Sequence, residues 1–483
     1  MAMETATRER PAASETPRPE RPEGLFDSAW QKLGQAWREI ARFSGGRAAK
    51  GGKPAALRAQ IEACLEGQGG EVSARARAAG LARAYLGFPR EERVALLRLL
   101  ASEYAPPRHA VEEAMGVLRA AATPEQEEAA QRRLRLALEP RRLKLLRQFN
   151  ALRSGPRFLV ELRAELLDLA PEHPELKALE ADLKELLASW FDIGFLELRS
   201  LTWDSPASLL EKLSRYEAVH RIRSWQDLKN RLDVDRRVYA FFHPSMPDEP
   251  LIFVEVALAD GLAGQIQELL DPKAPALDPD EASAAIFYSI SNTQRGLAGI
   301  SFGSFLIKQV VDRLRHEQPG LKQYATLSPI PGFVPWLREA LEAGDPDVAL
   351  APGESKRLEA AAPGAAPQET LRASLDDPAR LRDPRLVMAL KTPLLRLCAR
   401  YLLKAKRPDG RRSRDPVAHF HLSNGARLQR LNWMADTSPK GLAQSAGIMI
   451  NYLYQLERIE RRHEAYASEG KIAASSAATG LAK

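Results

Sequence analysis

From Leu25 to about Ser189, apolar residues return every three to five positions, the period of amphipathic helices. Leu25, Trp30, Leu33, Trp37 and Ile40 mark one such face. Ser73 is placed to cap a helix through Leu81 and Tyr85. Thr123-Pro124-Glu125-Gln126 sets a cap residue, a proline at the first helical position and a glutamine at the third ahead of another helix. Breaks at Gly87-Phe88-Pro89, Ala105-Pro106-Pro107 and Ser154-Gly155-Pro156 divide the stretch into about six to eight helices joined by short loops. Short loops make antiparallel neighbours, so an all-α bundle is expected over 25–189. No pattern there points to chemistry, and a structural or oligomerisation role is expected.

The period changes near Trp190. Arg237–Phe242 and Leu251–Leu258 read as strands joined by a proline-rich hairpin loop, and Ala284–Ser291 as a third strand. A glycine turn, Thr293–Gly299, leads into a helix from about Ser301 to His316. Lys322–Leu327 reads as a fourth strand and Phe333–Leu341 as a helix. Residues 351–378 are rich in Ala, Pro and Gly and read as a surface insertion. Arg382–Leu403 reads as a helix and Val417–Leu422 as a short strand. Ser438-Pro439-Lys440 opens a last expected helix carrying Ile448, Ile450, Tyr452, Leu453 and Leu456. The expected division is a disordered 1–24, a bundle over 25–189, an α/β domain over 190–470 and a disordered tail over 471–483.

With 483 residues the chain can bury a large core in two or more domains. A net charge of +7 suits an anionic ligand but lacks the dense basic stripe of a nucleic-acid binder. Two cysteines, Cys64 and Cys398, leave no disulfide framework and no cysteine-based zinc site, and fit a reducing compartment. No stretch approaches the ~18 apolar residues of a membrane span. The Arg/Glu/Pro-rich start lacks an apolar signal core and carries acidic residues foreign to transit peptides. The last residues are not a peroxisomal tripeptide, so a cytoplasmic address is expected.

Three segments carry candidate chemistry. Strand, Gly296-Leu297-Ala298-Gly299, helix is an order that aims backbone N–H groups and a helix N-terminus at a phosphate. A structural turn reads equally well from so short a motif. Ser328 stands at a strand's end, because Pro329 and Pro331 stop the strand. A serine there is a cap or turn residue unless a partner activates it. His419 and His421, two apart, fall on one face of the expected strand, ahead of an Asn424-Gly425 turn. No nearby cluster supplies a third metal ligand, so no metal site is expected. Asp436, Asn451 and Tyr454 follow as candidates to orient the imidazole or donate to an oxyanion. A phosphate cradle, a hydroxyl and an imidazole suffice for metal-free chemistry on a thioester.

From about Trp190 to Tyr454 the sequence resembles the malonyl-CoA decarboxylase family. The resemblance rests on SWFDIGFLELRSLTWDSP (Ser189–Pro206), YEAVHRI (Tyr216–Ile222), IFYSISNTQRGLAGISFGSFLIK (Ile286–Lys308), TLSPIPGF (Thr326–Phe333) and DPVAHFHLSNGARLQRLNWMADTSPKG (Asp415–Gly441). The helical region resembles the family's N-terminal domain in length and pattern. The family implies a helical oligomerisation bundle followed by an acetyltransferase-like (GNAT-like) α/β catalytic domain, an α+β chain overall. It implies a homo-oligomer, tetrameric by resemblance, converting malonyl-CoA to acetyl-CoA and CO₂ through an enolate without metal or organic cofactor. Its catalytic serine and histidine fall on Ser328 and His421, and a family tyrosine and strand serine fall on Tyr454 and Ser289. CoA is expected at Gly296, Leu297, Ala298, Gly299 and Asn424. Some relatives have a glutamate where this chain has Ser301. An acyl-CoA N-acyltransferase on the same fold, or a non-catalytic acyl-CoA-binding scaffold, are the rival readings. A hydrolase with Ser328 as nucleophile lacks an acidic third member and a nucleophile elbow.

Overall fold

A computed structural model describes residues 54–66, 70–191, 193–300 and 306–483. The expected disorder of 1–24, the helical face Leu25–Ile40 and Ser301 lie outside the described residues. The chain divides into two compact units, Met1–Leu183 and Lys184–Lys483.

The first unit is helical throughout its described length, from Pro54–Leu65 to the start of Lys177–Trp190. Thr123 caps Pro124–Leu138: its hydroxyl accepts from Gln126 N, and the Gln126 side chain accepts from Ala122 N. The two bonds satisfy orphan donors at opposite sides of the cap. Leu97, Leu145, Leu146, Leu159 and Leu166 are fully buried between the helices. Two arginines are buried with them. Arg142 donates to Asp182 at 2.6 Å and to the Ala101 carbonyl at 2.8 Å, and Arg163 donates to Glu180 at 2.9 Å.

The second unit is built on one twisted sheet in the order β1-β2-β3-β4-β5-β8-β6, with β7 also on β8. The strands are β1 (Glu197–Leu201), β2 (Arg236–Phe242), β3 (Ile252–Ala259), β4 (Ala284–Asn292), β5 (Gln323–Thr326), β6 (Ser328–Pro329), β7 (Arg427–Asn432) and β8 (Met449–Tyr454). β1 to β4 pair antiparallel, β4 and β5 pair parallel, and β8 pairs antiparallel with β5, β6 and β7. β2 to β4 and β8 are apolar on both faces because both are covered. Against one face pack α1 (Ala207–Tyr216) and α2 (Trp225–Arg231) through Leu210, Leu213 and Leu228. The helix after the glycine turn, α3 (Leu306–Glu317), buries Val310, Val311 and Leu314.

β4 and β5 stay in register only from Ala284 with Gln323 to Phe287 with Thr326. Beyond that pair β4 continues to Asn292, while the other strand turns away so that Ser328 faces Ile450 of β8. A β-bulge in the β3–β4 pairing, between Glu255 and Val256, adds twist at the same level. The result is a gap between two parallel strands, opening at Ser289 and Ser328. A helical region followed by this mixed sheet is the expected α+β, acetyltransferase-like architecture.

Three expectations are corrected. Residues 351–378 are not a loose insertion: helices Pro352–Ala361 and Pro367–Asp376 start on prolines and bury Leu358, Leu371 and Leu375, and Glu354 pairs with Arg396. The tail 471–483 is ordered. Leu428 N donates to Ala473 O, and Ser475 caps a helix over Ser476–Leu481. Small side chains there let the backbone lie directly against β7, which composition alone reads as disorder. The expected helix after Ser438 is short, α5 (Pro439–Ser445), and ends where Ala446 and Gly447 turn left-handed (φ 51° and 77°). Met449 to Tyr454, buried at every position, then runs as strand β8.

Candidate active site

Ser328 is held where β5 passes into β6. Its hydroxyl donates to Thr326 Oγ1 at 2.8 Å and lies 3.1 Å from His421 Nε2. The other ring nitrogen, Nδ1, is 2.8 Å from Tyr454 Oη. Tyr452 stacks on the imidazole, with ring centroids 4.5 Å apart. Thr326 Oγ1 also accepts from Tyr452 N at 3.1 Å, which ties it to β8. The bonds are consistent with a ring protonated at Nε2, in the order Tyr454 O–H to Nδ1, Nε2–H to Ser328, Ser328 O–H to Thr326.

His421 does not sit on a strand. It lies on α4 (Pro416–Ser423), and the reason is Asp415-Pro416. Asp415 accepts from Val417 N and Ala418 N as an N-cap, and the proline fits the first helical position. The second Asp415 oxygen accepts from Gly332 N, so one carboxylate ties the histidine's helix to the turn after Ser328. Gly332 has to be glycine: a Cβ there would overlap the Tyr401 hydroxyl. On a helix, residues two apart point about 200° away from each other. His421 therefore faces Ser328 while His419 turns to Tyr466, 2.9 Å from its hydroxyl. The two histidines cannot share a metal, and among the described residues no three His, Cys, Asp or Glu side chains converge as metal ligands.

Burial in neutral surroundings lowers the pKa of His421 to about 3. An imidazole ordinarily titrates near 6.5, so in these surroundings the ring is neutral at physiological pH. Tyr454 is pushed the other way, well above 10, by the same burial. A cavity of about 230 Å³ fills the strand gap, bounded by Phe287, Ser289, Ser328, Pro329, Phe420 and His421. Ser289, on the opposite wall, donates to Glu217 at 2.7 Å. The structure so brings Ser289, Ser328 and His421 to one cavity, with Tyr454 behind the histidine.

Asn424 is not brought there. It closes α4, its side-chain amide donates to Phe420 O, and it does not border the cavity. The Asn424 and Gly425 amides are spent on carbonyls of Phe420, His421 and Leu422, so they are not free for an oxyanion. Asn451 is spent too, bonding Ala263 O and Thr326 O. Gly296 and Leu297 lie in a 3₁₀ turn, Arg295–Leu297, just past the end of β4, with Ala298 as its cap and Gly299 next; the Leu297 and Ala298 amides donate to Gln294 and Arg295 carbonyls. Only Gly299 of the two glycines is left-handed (φ +71°), and a Cβ there would lie 3.5 Å from Lys184 Nζ. Lys184, in a stretch read as free of chemistry, supplies a cation beside the turn. Asp415, Thr326 and Glu217 were likewise missed. The Asp-Pro pair ahead of His419 was the available signal for the first; the other two show only once distant segments meet.

Two family models match: the malonyl-CoA decarboxylase C-terminal domain over residues 194–483 and the N-terminal domain over 104–191. The mitochondrial malonyl-CoA decarboxylase of Anser anser anser is 39% identical over 413 residues, 83% of this chain and 82% of that one. The chain belongs to the malonyl-CoA decarboxylase family. Solved structures agree. The malonyl-CoA decarboxylase from Rhodopseudomonas palustris superposes with a TM-score of 0.79 at 44% identity, over 88% of this chain and 98% of that one. The one from Agrobacterium vitis gives 0.78 at 41%, over 88% and 99%. Membership in a malonyl-CoA decarboxylase family makes this chain an enzyme of the carboxy-lyase class. Among the described residues no helix is long and apolar enough to cross a membrane.

Proposed function

We propose that this chain converts malonyl-CoA to acetyl-CoA and CO₂ without a metal or organic cofactor, using Ser328 and His421 to protonate an enolate. The observation that supports this is the unbroken chain Tyr454–His421–Ser328 at the wall of the strand-gap cavity. Before substrate binds, burial keeps His421 neutral. A malonyl carboxylate brought beside Ser328 is the missing counter-charge, and an opposite charge within ~4–6 Å favours the protonated ring. His421 then takes one proton from solvent on binding, and Tyr454 turns its oxygen to accept from Nδ1–H. When the Cα–carboxylate bond breaks, CO₂ leaves and the electron pair spreads over Cα and the thioester oxygen. The counter-charge is gone, so His421 returns its proton to Cα through Ser328. One proton enters and one C–H bond forms, which balances the reaction.

The adenosine end of the substrate has a place in the same reading. Lys184 beside the left-handed Gly299 supports the 296–299 turn as the pyrophosphate contact. The test is to mix EDTA-treated protein with malonyl-CoA, without an acceptor, and follow acyl-CoA species by mass spectrometry. Stoichiometric acetyl-CoA is expected. Free CoA would indicate a hydrolase, and malonyl-CoA consumed only when an amine is added would indicate an acyltransferase.

A homo-oligomer belongs to the proposal as well. In the first unit Leu136 and Leu138 are 72% and 51% exposed, and Met115 and Val117 of the neighbouring helix are exposed too. An apolar group of this kind is covered most economically by another copy. Light scattering on the intact protein is expected to give a multiple of the chain mass, and Leu136→Glu with Leu138→Glu to reduce it.

A further inference from the structure

Glu217 lies on no regular element. It follows α1 directly, in the segment that leads to α2, and it is buried. One of its oxygens, Oε2, accepts from Ser289 Oγ at 2.7 Å and from Ser291 Oγ at 3.0 Å. The other, Oε1, accepts from Val219 N at 2.8 Å and His220 N at 2.6 Å. One carboxylate thus joins strand β4 to the segment Ala218–His220. That segment is a partition. Val219 and Pro329 border both the strand-gap cavity and a larger one of about 680 Å³. Lys440 of α5 holds the partition from the far side, donating to Ala218 O and Val219 O.

Every hydrogen that reaches Glu217 is given to it, because a carboxylate has none to return. Ser289 therefore has its proton committed away from the cavity and shows the cavity lone pairs alone. The opposite wall takes the reverse character in the proposed reaction, where protonated His421 donates Nε2–H to Ser328 and Ser328 turns its own proton from Thr326 to the substrate carboxylate. An acyl-CoA with a terminal carboxylate is polar in the matching sense. Its carboxylate and thioester oxygen accept, and the amide N–H of its pantetheine arm donates. We infer that Glu217 is a positioning residue that fixes Ser289 as a hydrogen-bond acceptor, so that the pocket takes an acyl-CoA with its carboxylate toward Ser328 and its amide N–H toward Ser289. The inference rests on the proposed reaction, since it concerns how that substrate is oriented.

A double-mutant cycle separates this role from a structural one. Glu217→Gln keeps the shape but must turn an NH₂ toward either the serines or the backbone amides. Glu217→Gln and Ser289→Ala are each expected to lower kcat/KM about 10- to 100-fold, the range for a lost charged hydrogen bond or a misplaced substrate. The double variant is expected to be no worse than the weaker single one, because Glu217 acts through Ser289. Losses that multiply, or an unchanged Glu217→Gln enzyme, would overturn the inference. Should Glu217→Gln fail to fold, Glu217→Asp serves in its place: it keeps the charge but withdraws it from Ser289, and the same cycle applies. Ser328→Ala and His421→Asn are assayed alongside. If they retain turnover, the proposed reaction itself falls; if they lose it while the cycle multiplies, only the role of Glu217 falls.

Discussion

The two units bury polar groups to different ends. In the helical unit Arg142 and Arg163 are almost wholly enclosed, yet each meets a carboxylate, and Arg142 meets a backbone carbonyl as well. Neither of these two charges waits for a partner. In the sheet unit His421 is just as enclosed, but its partners are two hydroxyls and a stacked tyrosine, all neutral. Burial in both cases costs solvation. The difference is where the counter-charge comes from: the two arginines have theirs in the fold, and in the proposed reaction His421 receives one with the substrate. Burial by itself does not mark function. A buried titratable group that lacks its counter-charge, at the edge of a cavity, does.

The strongest way to break the comparison is to remove the groups concerned. His421→Asn is expected to lower kcat by ~10³-fold, within the usual range for a general acid, and Ser328→Ala by ~10²-fold or more. Both are expected to melt near the parent temperature, since neither leaves a buried charge unpaired. Wild-type-like turnover in either variant would sink the assignment. Arg142→Ala should do the opposite. It strands Asp182 beside the core and is expected to cost ~3–5 kcal/mol of stability, read from denaturant midpoints. Turnover per folded molecule should hold. A loss of kcat with stability intact would mean that the bundle takes part in the chemistry.

How much of this could be read from the sequence follows from how local each signal is. Thr123-Pro124 and Ser154-Gly155-Pro156 punctuate helices through contacts within a few residues, and the bundle was legible from them. The hairpin of β2 and β3 and the parallel β4–β5 pair were legible from apolar runs and the turn between them. His419-Phe420-His421-Leu422 alternates like a strand but is a helix, because the Asp415 cap outweighs the alternation. Met449–Tyr454 fitted a helix and is a strand, because the left-handed pair Ala446-Gly447 ends α5 first. In the site, Ser328 and His421 stood out as members of unusual strings. That 93 residues of separation close to 3.1 Å is a property of the fold. Glu217 and Thr326 stood inside such strings too, but nothing gave them a role, since Ser289, Ser291 and Tyr452 reach them from distant strands.

A finer test asks whether the counter-charge arrives with the substrate. Calorimetry in buffers of different ionisation heat is expected to show about one proton taken up per malonyl-CoA bound by a turnover-deficient Ser328→Ala enzyme. Acetyl-CoA, which has no carboxylate, should bring none. Between the free-protein value of about 3 and the higher pKa of the complex, malonyl-CoA affinity is then expected to fall ~10-fold per pH unit, and to level off above it. Adding His421→Asn should abolish the uptake. Equal uptake with acetyl-CoA would place the proton elsewhere than against the malonyl carboxylate.

The smallest effect is read on the protein without substrate. In the unfolded chain His421 takes a proton near the ordinary 6.5, whereas in the folded protein it resists until about 3. Between those values the unfolded state binds more protons, so stability is present above 6.5 and is lost as pH falls through the window. One unit into it, at pH 5.5, the loss is ~1.4 kcal/mol. His421→Asn has no proton to gain and escapes this term. Denaturant midpoints at pH 7.5 and 5.5 should therefore show the parent losing ~1.4 kcal/mol more than the variant. His220, whose pKa burial also lowers, to about 4, contributes to both proteins and cancels in the difference. Equal losses would mean that His421 already has a counter-charge before substrate binds. The contrast between the two units would then vanish, because the pocket, like the bundle, would have supplied its own.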